Sequence, residues 1–351
     1  MASFQRVLTA PELLTSILAY QHGIPYEFLP FLPLQRDNIW SSSCSPAMLD
    51  ALNAADGIFR PWFEQHGLEH LPLLVDNPFM ERMRPILLLH AVFFGRFDVL
   101  DFMASLDPIL LRHNPRLLDL AAATGSLEMI QFLQPQVLTH VKSAASMMVF
   151  AADNGHLHIV RFVAETMDGH FDSTYGRVLL AASVRGHYDM ASYVLPHCTP
   201  SQISEALAVA VRHEHVDFVA RLVFRCPDSG VESALHFACD KGQLDMTALL
   251  VGELRRRLWF QLLPTLGECL RYAVRRGYVA IATLLWESGV AVHAVDVEDA
   301  ARDGHLPMLQ WLHQVQPHIM GKPSWDQVWT VILTDATHDQ VVQWLSEITH
   351  S

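Results

Sequence analysis

The sequence has little of what would build a disulfide framework or a metal site. Its five cysteines are scattered along 351 residues, and no two of them form a Cys-x-x-Cys pair. Such usage is typical of a reducing compartment, so we expect an intracellular protein, cytoplasmic or nuclear, without disulfide bonds. The chain has twenty histidines, but neither His156-x-His158 nor the run His213-Glu214-His215 has the i, i+4 spacing of two ligands on one helix face. We therefore expect no metal.

Long apolar runs are also missing. Stretches such as 87–95 and 143–152 fall short of the roughly 18 residues that a membrane-spanning helix needs. Pro11 and Glu12 interrupt the N-terminal segment, which lacks the unbroken apolar core of a signal peptide. We expect a protein that neither crosses a membrane nor is secreted.

Basic residues are too few for a dedicated nucleic-acid binder. The formal net charge is -13, whereas proteins that bind nucleic acids carry a basic face that neutralises phosphates. The hydrophobic fraction of 51% nevertheless supplies ample apolar side chains for burial, so the chain should be folded throughout.

Catalytic signatures are absent as well. The sequence contains no Gly-x-Ser-x-Gly elbow, no phosphate-binding Gly loop followed by Lys-Ser/Thr and no His-Glu-x-x-His. We expect neither catalytic residues nor a cofactor, and hence a protein that is not an enzyme.

What the chain does contain is a block that recurs eight times. Each copy holds an Ala, a second small residue, two variable residues and a Gly, often followed by His. Apolar residues then recur at helical spacing, as in Leu157, Ile159, Val160, Phe162 and Val163. The Gly-equivalent positions, 27 to 35 residues apart, are Gly95, Gly125, Gly155, Gly186, Glu214, Gly242, Gly277 and Gly304.

Each copy therefore predicts a short helix, a tight turn and a second helix. The small pair lets helices approach closely, and Gly ends the first helix where the backbone needs a positive φ. Glu214 departs from Gly, which predicts a slightly different turn in its repeat. The histidines that follow the turn share one repeat position, which predicts a role in turn packing; they are His156, His187, His215, His305 and, in a degenerate copy, His338.

These residues resemble the ankyrin repeats, whose units begin with T-P-L-H-x-A and turn at G-H. The segment 233–238, Ser-Ala-Leu-His-Phe-Ala, is closest to that start, and Gly155-His156, Gly186-His187 and Gly304-His305 match the turn. The resemblance implies an all-α, ankyrin-type helix-turn-helix solenoid with about eight repeats, which binds another protein along a concave groove. Because most units are two to five residues short and lack Thr-Pro, we expect shrunken or missing β-hairpin loops.

The ends and one interruption differ from the repeat. Residues 1–83 should form an N-terminal helical cap, the array should cover 84–350, and a degenerate C-terminal cap should begin near 324. Within residues 8–34, Pro11 to Tyr20 also looks like the opening helix of an F-box, which implies the alternative of a substrate adaptor of a ubiquitin ligase. The long interval before Gly277 predicts an extended second helix, in which Arg255 to Arg257 form a solvated charge run or a partner site.

The two residues before each Gly position are variable, and in ankyrin repeats this helix end lines the groove. From the fourth repeat to the eighth, these positions hold six Lys or Arg and two Asp. They predict a groove for an acidic or phosphorylated segment of another protein, since guanidinium groups pair with carboxylate and phosphate; ordinary solvated helix ends are the alternative. Phe93-Phe94 predicts an aromatic anchor or packing under the N-terminal cap. We expect a monomer whose partner-binding residues are Phe93, Phe94, Asp153, Asn154, Arg185, Arg212, His213, Lys241, Arg275, Arg276 and Arg302.

Overall fold

The computed structural model confirms the predicted all-α class. It describes residues 26–36, 44–77, 80, 82–107, 109–112, 114–135, 137, 141–167, 171–258, 262–318 and 339–349. Every regular element in these ranges is a helix, and none of the helices found there is long and apolar enough to cross a membrane. The chain divides into two compact units, an N-terminal unit Met1–Thr174 and a C-terminal unit Tyr175–Ser351.

The α-helices that begin in the N-terminal unit are α1 Leu32–Arg36, α2 Pro46–His66, α3 Leu71–Val75, α4 Met83–Phe93, α5 Phe97–Leu106, α6 Ile109–Arg112, α7 Arg116–Thr124, α8 Leu127–Leu133, α9 Val141–Asp153, α10 Leu157–Thr166 and α11 Asp172–Arg185. Those of the C-terminal unit are α12 Tyr188–Val194, α13 Pro200–Arg212, α14 Val216–Leu222, α15 Asp228–Lys241, α16 Leu244–Leu258, α17 Leu263–Arg276, α18 Val279–Glu287, α19 Ala294–Arg302, α20 Leu306–Val315 and α21 Asp339–Thr349. Short 3-10 helices are Tyr26–Phe31, Leu68–His70, Leu195–His197 and Val223–Arg225.

Eight helix pairs match the eight sequence copies, from α4/α5 to α19/α20 with α6 between the first two pairs. In the C-terminal unit the first helices α13, α15, α17 and α19 pack one on the next, and so do the second helices α14, α16, α18 and α20. In the N-terminal unit α4 packs on α7 and α7 on α9. The Ala and its small neighbour are buried in all eight copies, as in Ala238-Cys239 and Ala273-Val274, because larger side chains would force these helices apart.

Connections between repeats are as short as expected. A 3-10 turn and the residues Cys198-Thr199 lead from α12 to α13, and Cys226-Pro227 lead from α14 to α15. Thr199 caps α13 through a reciprocal pair of hydrogen bonds with Gln202, and Pro200 occupies the first turn. No β-hairpin occurs within the described residues, in agreement with the predicted loss of the long loops.

The turn at Gly277 needs Gly for two reasons. Gly277 has φ +74°, and the N–H of Tyr278 donates to the carbonyl oxygen of Ala273 over 2.8 Å, which closes the end of α17. A Cβ on Gly277 would also lie only 2.9 Å from Nδ1 of His305 in the next repeat. The position therefore excludes a side chain both by backbone conformation and by close packing.

The prediction of a different turn at Glu214 is wrong. Glu214 adopts φ +61°, and the N–H of His215 donates to the carbonyl oxygen of Ala210 over 3.1 Å, as in the Gly-containing repeats. Closing the helix end thus imposes a left-handed backbone even where the residue has a Cβ.

The predicted packing role of the turn histidines is confirmed where the structure describes their bonds. Nε2 of His305 donates to the carbonyl oxygen of Arg275 over 2.8 Å, and His215 reaches Val184 over 2.8 Å in the same way. His156 binds the carbonyl oxygen of Ala123 over 3.1 Å. Each bond joins a turn to the preceding repeat; His338 lies outside the described residues.

The extended second helix before Gly277 is confirmed, since α16 has fifteen residues. The interpretation of its arginines as a solvated charge run is wrong for Arg257. Its guanidinium donates to the carbonyl oxygens of Val223 (2.7 Å) and Cys226 (2.8 Å) and to Glu253 (2.8 Å), whose side chain is 5% exposed. Arg257 is therefore a link between two repeats.

Helices α1, α2 and α3 pack on α4 at the N-terminal end. Their contacts are largely aromatic: the ring of Phe31 lies 5.2 Å from Phe59 and 5.7 Å from Trp62. This packing agrees with a cap formed by the N-terminal residues; the boundary at residue 83 is a proposal. Most of the F-box-like segment lies in residues 1–25, outside those described.

At the C-terminal end, the Trp344 ring of α21 lies 5.9 Å from His313, and Leu345 is buried. These contacts suit the proposed cap, but residues 319–338, which include Leu333-Thr334 and Thr337-His338 of the degenerate copy, lie outside the described part of the chain.

Candidate binding groove

Helix α17 presents a solvent face built from two rows of residues at i, i+4 spacing. Pro264 lies in its first turn, and Leu266, Cys269, Leu270, Ala273 and Val274 are buried. The 3.6-residue period then places the remaining positions on the opposite face. One row is Leu263, Gly267, Arg271 and Arg275, and the other is Pro264, Glu268, Tyr272 and Arg276. We call this face and its flanks the α17 groove.

Three concavities follow one another along the groove. A cavity of about 370 Å³ at the start of α17 is lined by Leu263, Gly267, Arg271 and the loop 289–293. A middle cavity of about 250 Å³ is lined by Glu268, Arg271, Tyr272 and Arg275. The last, of about 380 Å³, is lined by Asp240, Tyr272, Arg275, Arg276 and Asp303. Shared side chains make them one continuous depression across α15, α17 and α19.

Several of the predicted groove cations are paired with carboxylates of the chain itself. Asp299, whose side chain is 4% exposed, accepts from Arg275 and Arg302, each over 2.9 Å. Asp240 accepts from Arg276 over 2.9 Å and lies 3.4 Å from the amine of Lys241. These partners fix the guanidinium groups in place.

These ion pairs also shift the pKa values of their members. The hydrogen bond from Arg276 lowers the pKa of the Asp240 carboxyl. The hydrogen bond with Asp299 likewise raises the pKa of Arg275. The predicted basic row is therefore a mixed-charge surface.

Tyr272 is the exposed aromatic residue at the centre of the groove. It is 41% exposed, and its ring meets His236 of α15 edge-on with 5.9 Å between centroids. Nε2 of His236 lies 3.7 Å from the carboxylate of Glu268. An aromatic ring among ionic groups can give both apolar contact and hydrogen bonding to a partner.

A second aromatic residue, Phe237 of α15, attracts two predicted site residues. The guanidinium of Arg212 lies 5.8 Å from its ring centroid and the amine of Lys241 5.7 Å. Such cation–π contacts hold both side chains over α15. His213, next to Arg212, is exposed at the end of α13 and lies 6.2 Å from the His215 ring.

The remaining predicted residues do not join the α17 groove. Phe93 and Phe94 are half-buried, and Phe94 lies 4.6 Å from the buried His90, so it takes part in packing. Asp153 is half-buried at the end of α9, and Asn154 donates to the carbonyl oxygen of Phe150 over 2.9 Å. Arg185 is exposed at the end of α11.

The sequence interpretation missed Gly267, Arg271, Tyr272 and Asp299. Arg271 and Tyr272 precede Arg275 and Arg276 by four residues, so helical spacing alone places them on the same face. Asp299 carried no such signal, because its role depends on how α19 packs against α17.

No group of three or more His, Cys, Asp or Glu suited to hold a metal ion occurs among the described residues.

The groove is interpreted from its own residues, since the comparisons with known proteins are distant. No protein-family model matches the chain, and no curated protein matches it significantly. Among solved structures it is similar to an ankyrin repeat family protein from Legionella pneumophila, at 16% sequence identity and a TM-score of 0.36. That match covers 90% of this chain and 97% of the other.

Proposed function

We propose that this chain is a non-catalytic protein-interaction module and that the α17 groove binds an acidic segment of its partner. The observation that carries the proposal is the continuity of the three cavities along one helix face. A stack of helix pairs offers an extended open surface, which suits a polypeptide segment.

The groove has the composition of a binding surface. Tyr and Arg are enriched at the energetic centres of protein interfaces. Here Tyr272 lines the same cavities as Arg271, Arg275 and Arg276. Because Asp240 and Asp299 hold three of the groove cations in fixed positions, those side chains lose little conformational freedom on binding. Among the described residues Arg271 forms no ion pair with the chain, so its guanidinium can pair with an anionic partner.

Affinity purification with the full chain tests the proposal. The groove variant carries Tyr272→Ala and Arg276→Ala. Its matched control carries Phe224→Ala and Arg256→Ala, because Arg256 covers the exposed Phe224 ring at 5.1 Å in the second-helix layer. Quantitative mass spectrometry compares the proteins that both variants and the parent retain.

We expect partners that bind the parent and the control to be lost at least about tenfold from the groove variant. Their binding should weaken as salt is raised, since screening acts on exposed charges. Equal retention by both variants, or equal loss, would contradict the assignment of the groove.

A further inference from the structure

Gly267 leaves an open space in the middle of a helix that is otherwise well formed. It is the fifth residue of α17, and, apart from the adjoining backbone of that helix, no atom of the described residues lies within 4 Å of a Cβ built on it. Neither a left-handed backbone nor close packing against the described residues requires glycine there, unlike at Gly277. Glycine weakens a helix interior, but the missing side chain leaves room here for a group that approaches from outside.

Gly267 lines the floor of the first cavity of the α17 groove. Its walls are apolar: Leu263 is 51% exposed, Pro264 adjoins it, and Val290 closes the far side from the loop before α19. The polar groups there bind one another, since the N–H of His293 donates to Asp296 over 2.7 Å. The cavity therefore suits an aliphatic side chain.

Arg271 borders the same cavity and differs from the other groove arginines. Arg275, Arg276 and Arg302 are bound to carboxylates of the chain. Arg271 is exposed and forms no hydrogen bond or ion pair with the part of the chain that the structure describes. Its charge acts only at longer range on Asp296, a carboxyl whose pKa is raised by burial.

We infer that the first cavity of the α17 groove is the anchor point for a partner peptide that carries an aliphatic residue close to an acidic one. The aliphatic side chain enters the cavity over Gly267, and the carboxylate pairs with Arg271. Gly267 and Arg271 are four positions apart on the helix, a rise of about 6 Å. An extended peptide covers this distance in about two residues. This inference rests on the proposed function and specifies its partner.

The probe is a library of random linear dodecapeptides selected on the full chain. Selected peptides are then synthesised, and their affinities are measured by fluorescence anisotropy on Gly267→Leu and Arg271→Glu. Gly252→Leu is the matched control for the first variant, because Gly252 is also an open helical glycine, on α16. Arg112→Glu matches the second, since Arg112 is exposed in the N-terminal unit.

We expect selected peptides to share an aliphatic residue with Asp or Glu about two positions away. They should bind at least about tenfold more weakly to Gly267→Leu and to Arg271→Glu, and with unchanged affinity to both controls. Melting temperatures verify that all four variants are folded. Peptides without the pattern, affinities unaffected by Gly267→Leu and Arg271→Glu, or no selected peptide at all would overturn the inference. Peptides that lose affinity on Tyr272→Ala but not on Gly267→Leu would leave the proposed function standing and refute only this anchor.

Discussion

Nε2 of His305 donates a hydrogen bond of 2.8 Å to the carbonyl oxygen of Arg275, thirty residues earlier, while the same imidazole lies over Gly277. One side chain thus closes the end of the preceding helix and occupies the space that the missing Cβ leaves free. His215 has the same relationship to Val184 and Gly186. The turn residues therefore join one repeat to the next.

Replacing Gly277 or His305 by Ala should destabilise the chain through this contact. We expect Gly277→Ala to cost about 1–3 kcal/mol from positive φ and overlap with the imidazole. His305→Ala should cost about 1 kcal/mol for the lost hydrogen bond. The double variant should cost less than the sum, because removing the imidazole relieves the overlap. Denaturant unfolding of all four proteins measures the coupling, and strict additivity would contradict the contact.

Glu214→Gly should stabilise the protein by about 0.5–1.5 kcal/mol, because Glu214 holds a φ of +61° that costs a residue with a Cβ about 1–2 kcal/mol. The hydrogen bond of 3.2 Å that its carboxylate accepts from Gln243 is exposed and offsets little. Glu214→Ala keeps the Cβ and serves as the control. A gain of equal size from Ala would mean that the backbone is not the cause.

The repeat, its eight copies and its buried small pairs could be predicted from the sequence because each reflects a local pattern. Glu214 was misjudged because the turn's closing hydrogen bond determines its backbone, whatever the residue. The composition of the groove was predicted only partly. Arg275 and Arg276 were found from their repeat position. Their pairing with Asp299 and Asp240 depends on packing between helices, because the paired residues are 24 and 36 positions apart in the sequence.

Arg257→Ala should destabilise the chain by about 2–4 kcal/mol, because it removes bonds to two carbonyl oxygens and leaves Glu253 buried without this partner. Arg256→Ala should cost less than about 1 kcal/mol, since the Arg256 side chain is 64% exposed. Arg257→Lys should not restore stability, because an ammonium group cannot reproduce the guanidinium geometry. Similar unfolding midpoints for the two Ala variants would refute the structural role of Arg257.

Stability should fall on acidification because of His90. Burial lowers the pKa of His90 from its ordinary value of 6.5 to about 4. Between pH 6.5 and 4 the unfolded chain takes up a proton at His90 that the folded chain does not. The contribution of His90 to stability therefore decreases as the pH falls, by about 2 kcal/mol at pH 5. Asp119 acts in the opposite direction, since burial raises its pKa to about 6.

The variant His90→Gln separates these two contributions. The decrease in unfolding free energy from pH 7 to pH 5 should be smaller in the variant than in the parent, while Asp119 contributes equally to both. An NMR titration of the His90 imidazole gives its pKa directly. A value near 6.5 would contradict the burial of an uncharged ring.

Site-specific photo-crosslinking tests most directly whether partners bind in the α17 groove. A photoreactive phenylalanine analogue replaces Tyr272 in the full chain, and in a second protein it replaces Phe224, which is 56% exposed in the second-helix layer. Mass spectrometry identifies the adducts formed in cell extract. We predict protein adducts at position 272 that are absent at position 224, and whose peptides carry Asp or Glu near the crosslinked residue. Adducts that are the same at both positions, or that form only at position 224, would contradict binding in the groove.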